Sequence, residues 1–323
     1  MRFAPVRTAA PGLWRRVPPA IFPPLLGILG LALAWRLAAQ RFGLPDALPG
    51  MLAGGAMAAW AFATLAYGAK LARRPAVLAE ELRILPGRAG VGAALVCIYA
   101  AAQILGPFAP AAARILLILG LGAHLIFWAV LIPVLLRVPG QGRVTPAWQL
   151  NFVGPIVAVQ AAAGFGWTGF AAALWWPMAA AAVLIWALSL RQAWREDIPA
   201  PLRPLLVIHV APVAMLGASA AALGWHGVAA GFAWALVPVL AAIVLRVRWL
   251  TEAGFSPFWS AFTFPLAASA GLWLAMSYTA PGWAGPARML LVVASLVVVP
   301  ILFLVWKSWA QGRLAVKTNA AIA

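Results

Sequence analysis

Few residues in this sequence have side chains suited to acid–base, nucleophilic or metal chemistry. The 323 residues include 6 Asp and Glu, 3 His and a single cysteine, Cys97. No HExxH motif, P-loop, Ser-His-Asp set or pair of carboxylates occurs among them. One cysteine excludes both an intramolecular disulfide and a thiolate metal cluster. The sequence therefore predicts a protein that is not an enzyme and that binds no metal and no cofactor.

The three histidines do not suit a haem either. A haem held by a pair of histidines needs both at matching depth in the membrane, but the histidines occupy different positions along the apolar segments. His124 falls near the middle of one segment, His209 near the end of another, and His226 in a loop. A haem protein or another membrane enzyme is thus the least favoured alternative.

The composition predicts an all-α polytopic membrane protein. Hydrophobic residues make up 65% of the chain and charged residues 9%, whereas soluble domains are roughly half apolar and about a quarter charged. At about 20 apolar residues per span, the chain accommodates about ten spans. We divide it into a tail (1–19), a ten-helix transmembrane domain (20–306) and a second tail (307–323). Spans 1 to 10 are predicted at 20–39, 47–69, 88–106, 109–135, 147–164, 169–190, 205–223, 228–245, 257–277 and 287–306.

The basic residues test this count. The chain has 23 Lys and Arg and a net charge of +17, and cytoplasmic loops collect basic residues. With the N-terminus inside, 19 of the 23 fall on the cytoplasmic side. This asymmetry predicts an even number of spans in the cell membrane, with both termini cytoplasmic. The basic residues are scattered over short loops, so we expect no nucleic-acid partner. The four on the other side are Arg36, Arg41, Arg114 and Arg288.

The tails and the loop between spans 2 and 3 show no sign of a separate domain. The basic N-terminus contains four prolines and no continuous apolar core, so we expect no cleavable signal. The tails are short, with about 19 residues before the first predicted span and 17 after the last. Lys70 and the loop LARRPAVLAEELRILPGR that follows it place Glu80 and Glu81 among five basic residues, which predicts a solvated, internally paired loop.

Four of the five odd-numbered spans have a proline near their cytoplasmic third. Such a proline removes one helical hydrogen bond, and in lipid the freed carbonyl must face protein or a water-filled cavity. We therefore expect the odd spans to form an inner ring with the even spans outside it. Ordinary membrane-helix prolines are the alternative, because even spans also contain prolines. The residues concerned are Pro23 and Pro24, Pro155, Pro212 and Pro265, with Gly90 and Gly92 in the proline-free span 3.

Four segments resemble a known family. They are FPPLLGILGLALAW in span 1, PAWQLNFVGP in span 5, PLRPLLVIHVAPVA in span 7 and SPFWSAFTFPLAASA in span 9. Their order over residues 18–310 is similar to that of the tellurite-resistance and dicarboxylate transporter family. That family includes the bacterial TehA-type proteins and the slow-type anion channels of plant guard cells.

The resemblance implies a fold and a set of site residues. It implies five helical hairpins around a quasi-five-fold axis, with the odd helices lining a pore, and a homo-trimer with one pore per subunit. A phenylalanine before the proline of span 9 plugs the pore in such proteins, and Phe264 matches it. The other residues expected at kinks or in the pore wall are Pro23, Pro24, Gly92, Pro155, Pro212, Phe262 and Pro265, and His209 is a candidate pore charge or else a histidine packed between helices.

The expected function is passage of small inorganic anions, such as chloride or nitrate, through a gated pore in the lipid bilayer. No acidic residue falls inside a predicted span, whereas an intramembrane acid is typical of a cation or proton relay. The alternative within transport is a proton-coupled exporter of C4-dicarboxylates or of tellurite and related oxyanions, which would use alternating access.

Overall fold

The computed structural model describes residues 12–138 and 142–323, and helices dominate them. This part of the chain contains no strand. Nine of its helices are long and apolar enough to cross a membrane, and they correspond to predicted spans 1–4 and 6–10. Their bounds are Pro19–Phe42, Ala47–Arg73, Leu85–Leu105, Pro110–Arg137, Thr168–Ala193, Ala200–Ala222, His226–Leu250, Pro257–Met276 and Pro281–Ala310.

Span 5 is broken, although the sequence predicts one helix over 147–164. A π-helix covers Gln149–Val153 and an α-helix covers Ile156–Gly164, with Gly154 and Pro155 between them. Pro155 has no N–H to donate to the carbonyl of Asn151, so the α-helical ladder cannot continue through this point. The chain widens into a π-helical turn instead.

The prolines of spans 1, 7 and 9 mark a change of helix type, where the sequence predicts a kink inside one helix. In each span a 3₁₀-helix leads into an α-helix, and the proline lies in the first α-helical turn. A proline is tolerated there because the first N–H groups of a helix have no helical partner. The junctions are Pro19–Ile21 to Phe22–Phe42, Ala200–His209 to Val210–Ala222, and Pro257–Phe262 to Thr263–Met276.

Span 3 has no such junction. Its α-helix runs unbroken over Leu85–Leu105, so no change of helix type occurs at Gly92. Instead, the glycines of span 3 allow close packing. A Cβ at Gly90 would overlap the carbonyl group of Pro19, and one at Gly92 would overlap the side chain of Asn151. The missing side chains let span 3 approach spans 1 and 5 closely.

Gly90→Ala is therefore expected to destabilise the protein by about 1–3 kcal/mol, because the new methyl group meets backbone that cannot rotate away. The measurement is thermal unfolding of the purified protein in detergent. Gly122→Ala in span 4 is the matched control, since nothing lies within 4 Å of its Cβ position. Equal unfolding midpoints for the two variants would contradict the packing argument.

The odd spans are the buried layer. Span 1 packs against spans 3 and 9, span 5 against spans 3 and 7, and span 7 against span 9, so the contacts close a cycle. Each even span packs against the odd span before it. The most apolar segment is 72% buried in spans 1, 3, 7 and 9 but only 17 to 33% buried in the even spans. The inner and outer layers are thus as expected, while the quasi-five-fold symmetry itself stays a prediction.

Both described termini lie at the same end of the bundle. The backbone N–H of Ala323 donates to the carbonyl of Arg15 over 2.9 Å. A short helix, Arg313–Lys317, follows span 10. We call this the terminal end and the opposite one the far end. The predicted cytoplasmic residues Arg2 and Arg7 lie outside the described residues.

The loop between spans 2 and 3 also lies at the terminal end, and one of its ion pairs is buried. Arg74 and Glu80 form the exposed pair that the sequence predicts, with 2.6 Å between Nη2 and Oε2. The prediction of a solvated loop is wrong for Glu81, which lies on the short helix Val77–Leu82. Glu81 pairs with Lys70, and both side chains are fully buried.

Candidate pore

The far half of the inner layer encloses a cavity of about 300 Å³, which we call the far cavity. Residues from all five odd spans line it. Small side chains dominate the lining, and the polar groups are an arginine and three glutamines. Representative lining residues are Ala34 and Arg36 of span 1, Gln103 of span 3, Gln160 of span 5, Ala218 of span 7 and Ala267 of span 9.

The terminal half contains a second cavity, of about 60 Å³, which we call the near cavity. All five odd spans again contribute, and Ser260 supplies the one polar side chain of the lining. A smaller cavity of about 30 Å³ lies between spans 3, 5, 7 and 9. The two cavities thus differ, since an arginine and three glutamines lie in the lining of the far cavity, whereas Ser260 is the one polar side chain in the lining of the near cavity.

Phe264 lines all three cavities. Its side chain is only 9% exposed, and its ring packs against Gly30 of span 1, where a Cβ would lie 3.0 Å from Cδ2 of the ring. The preceding residue is also fixed, because the Thr263 hydroxyl donates to the Ser260 carbonyl over 2.7 Å. The phenyl ring therefore lies where the near and far cavities approach each other.

The Asn151 carbonyl, which Pro155 leaves without a helical hydrogen bond, accepts hydrogen bonds from two side chains. The Asn151 carbonyl accepts hydrogen bonds from Nε2 of His124 over 2.9 Å and from Nε1 of Trp128 over 2.8 Å. Nδ1 of His124 lies 3.1 Å from the Tyr99 hydroxyl. His124 thus joins spans 3, 4 and 5, so its ring nitrogens are engaged in structure and leave no ligand position for a haem iron.

The predicted pore residues divide into two groups. Pro23 and Pro265 line the near cavity and Pro212 the smaller one, together with Phe264. The others are buried among neighbouring helices and do not line the cavities described above. They are Pro24, Gly92, Pro155 and Phe262.

His209 lies away from these cavities, contrary to its assignment as a pore charge. It lines a separate cavity of about 340 Å³ at the terminal end, with Arg143, Ser189 and Glu196. Its backbone carbonyl accepts a hydrogen bond from Nε1 of Trp186 over 3.2 Å. Neither ring nitrogen has a hydrogen-bond partner in the described part of the chain. His209 is the last residue of the 3₁₀-helix that precedes the α-helix containing Pro212.

The sequence interpretation missed the polar residues of the far cavity. Nη1 of Arg36 donates to the Ile104 carbonyl over 3.2 Å and Nη2 to the Gln103 carbonyl over 2.9 Å. Nε2 of Gln103 donates to the Val157 carbonyl over 3.1 Å. The signal was present, because polar side chains inside apolar spans tend to mark a pathway.

The far cavity adjoins an open vestibule of about 440 Å³. Arg36, Gln103 and Gln160 line both spaces, and Arg114 lies on the vestibule wall. No Asp or Glu lines the near cavity, the far cavity or the vestibule. The lining of this route therefore carries positive charge only.

Two comparisons with known proteins complete the description. Residues 16–307 match the family model described as voltage-dependent anion channel. The match covers all ten spans except the last few residues of span 10. The search of curated proteins found no match.

Proposed function

The chain belongs to the voltage-dependent anion channel family, and we propose that its inner spans form a gated pore for small inorganic anions such as chloride or nitrate. Members of this family are anion channels or transporters rather than enzymes, and the chain is a multi-pass membrane protein. The observation that carries the proposal is the position of Phe264, whose buried ring lines the near, the far and the smaller cavity.

The charges along the route support passage of anions over cations. A cation channel would present acidic side chains to its pore, and the described lining contains none. Arg36 and Arg114 instead place positive charge at the far end. The apolar near cavity and the Phe264 ring form the kind of hydrophobic constriction that gates a pore by excluding water.

A coupled carrier is the less favoured function. A proton-coupled exporter of dicarboxylates or tellurite needs a titratable group inside the membrane. In the described part of the chain, no Asp or Glu lies within a helix that could cross the membrane. None of the three histidines lines the near cavity, the far cavity or the vestibule either, which favours a channel.

The proposal also covers the membrane, the orientation and the oligomeric state of the protein. We place the protein in the cell membrane with the terminal end facing the cytoplasm, because the sequence predicts 19 of its 23 basic residues on that side. We also propose a homo-trimer with one pore per subunit. Its support is the family membership.

The test is the reversal potential of currents through reconstituted protein in a potassium chloride gradient. The expected potential lies near the chloride equilibrium value, because the lining carries positive charge only. Wild type and the Phe264→Ala variant are recorded in parallel, so that a closed constriction does not hide the selectivity. Bilayers without protein are the control, and a reversal near the potassium value would refute the proposed function.

A further inference from the structure

Arg36 occupies a special place on the proposed route. It lines both the far cavity and the vestibule, so its guanidinium group borders both spaces. No Asp or Glu forms an ion pair with it in the part of the chain that the structure describes. An unpaired cation at a junction of two cavities is a natural binding point for an anion.

The guanidinium is held in a fixed orientation by backbone. The Ile104 and Gln103 carbonyls that accept from Nη1 and Nη2 lie in the last turn of span 3, which ends at Leu105. Carbonyls of a last turn have no partner within their own helix. A guanidinium group has five N–H donors, so these two bonds leave three others, including the one on Nε.

Two glutamine side chains add uncharged hydrogen-bond donors next to Arg36. Gln103 and Gln160 line both spaces with Arg36. Gln103 is fixed through its bond to the Val157 carbonyl. In the described residues, Gln160 forms no side-chain hydrogen bond within the protein, so its amide is free to face the cavities.

We propose that Arg36 and Gln160 form a binding site for anions that present two oxygens in one plane, as a carboxylate or nitrate does. The proposal rests on the pore function. A fixed guanidinium edge pairs two parallel N–H donors with two such oxygens, while chloride is a single spherical acceptor that gains less from this geometry. The site makes the pore prefer planar oxyanions to chloride.

The experiment measures permeability ratios in the Phe264→Ala background. Nitrate and formate are each compared with chloride by reversal potential. Arg36→Lys keeps the charge but loses the planar edge, so we expect both ratios to fall by about tenfold, or about 1.4 kcal/mol, while anions stay favoured over cations. Gln160→Leu, which breaks no bond to the backbone, is expected to lower the ratios in the same direction.

Arg288→Lys is the matched control, because Arg288 is a far-end arginine that does not line these cavities. It should leave both ratios unchanged. A binding measurement that needs no current accompanies the recordings. Nitrate and formate, each against chloride at equal ionic strength, should raise the unfolding midpoint of purified wild type more than that of Arg36→Lys.

The outcomes separate the two proposals. Anion currents with unchanged ratios in Arg36→Lys and Gln160→Leu would overturn the site and leave the pore function intact. Absence of anion current would refute the pore function, and the unfolding midpoints would still decide whether Arg36 binds these anions. A shift with formate alone would restrict the site to carboxylates, which contradicts a site for planar oxyanions in general.

Discussion

Replacement of Phe264 by alanine is expected to raise the anion conductance of reconstituted protein by about tenfold or more. The phenyl ring borders the near, far and smaller cavities and is 9% exposed. Its removal would join these spaces and admit water to an apolar constriction. Tenfold corresponds to a barrier lowered by about 1.4 kcal/mol.

The measurement is single-channel or macroscopic current in planar bilayers at a fixed chloride concentration. Phe127→Ala is the matched control, because Phe127 is also a buried phenylalanine, 3% exposed, but belongs to span 4 in the outer layer. Both variants leave a cavity and should lower the unfolding midpoint, yet only Phe264→Ala should conduct more. Equal currents in wild type and a folded Phe264→Ala variant would show that the ring is not the gate.

Loss of the Lys70 ammonium is expected to destabilise the protein by about 3–5 kcal/mol, because it leaves the buried Glu81 carboxylate without a counter-charge. Lys70 pairs with Glu81 and donates to the Val17 carbonyl over 2.8 Å. The Tyr67 hydroxyl donates to the other carboxylate oxygen over 2.5 Å. Burial raises the pKa of Glu81, and its bonds to Lys70 and Tyr67 oppose that rise. The group fixes Val17 just before Ala20 and Pro23, which line the near cavity.

The test compares Lys70→Met, Glu81→Gln and the double variant by thermal unfolding in detergent. The double variant should recover most of the loss, because it leaves no unpaired charge. Arg74→Met is the matched control, since Arg74 and Glu80 are each 43% exposed, and exposed pairs contribute about 0–1 kcal/mol. A Lys70→Met variant as stable as Arg74→Met would contradict the role of the buried pair.

The number of spans and their division into two layers follow from the sequence. The bilayer thickness sets the number of apolar residues in a span, and membrane insertion sets which loops carry Lys and Arg. Both signals can be recognised in short stretches of sequence. The proline pattern separated the odd from the even spans for a similar reason. A proline disturbs its own helix wherever that helix packs.

The helix type around each proline could not be predicted from the sequence. Whether a helix kinks, tightens or widens depends on which neighbours accept the freed backbone groups. At Pro155 the helix type depends on His124 and Trp128, which lie in span 4 and donate hydrogen bonds to the Asn151 carbonyl. In span 3, the effect of Gly90 depends on the Pro19 carbonyl of span 1.

Some features of the candidate pore were predictable from the sequence, and others required the tertiary structure. The resemblance to a known family pointed to Phe264, and the sequence alone supplied the absence of acids along the spans. Only the tertiary structure decided that His209 faces a separate cavity and that Lys70 meets Glu81 in a buried pair. It also brought Arg36, Gln103 and Gln160 to one junction. These three residues come from spans 1, 3 and 5, and their distance in space is set by helix packing rather than by their spacing in the chain.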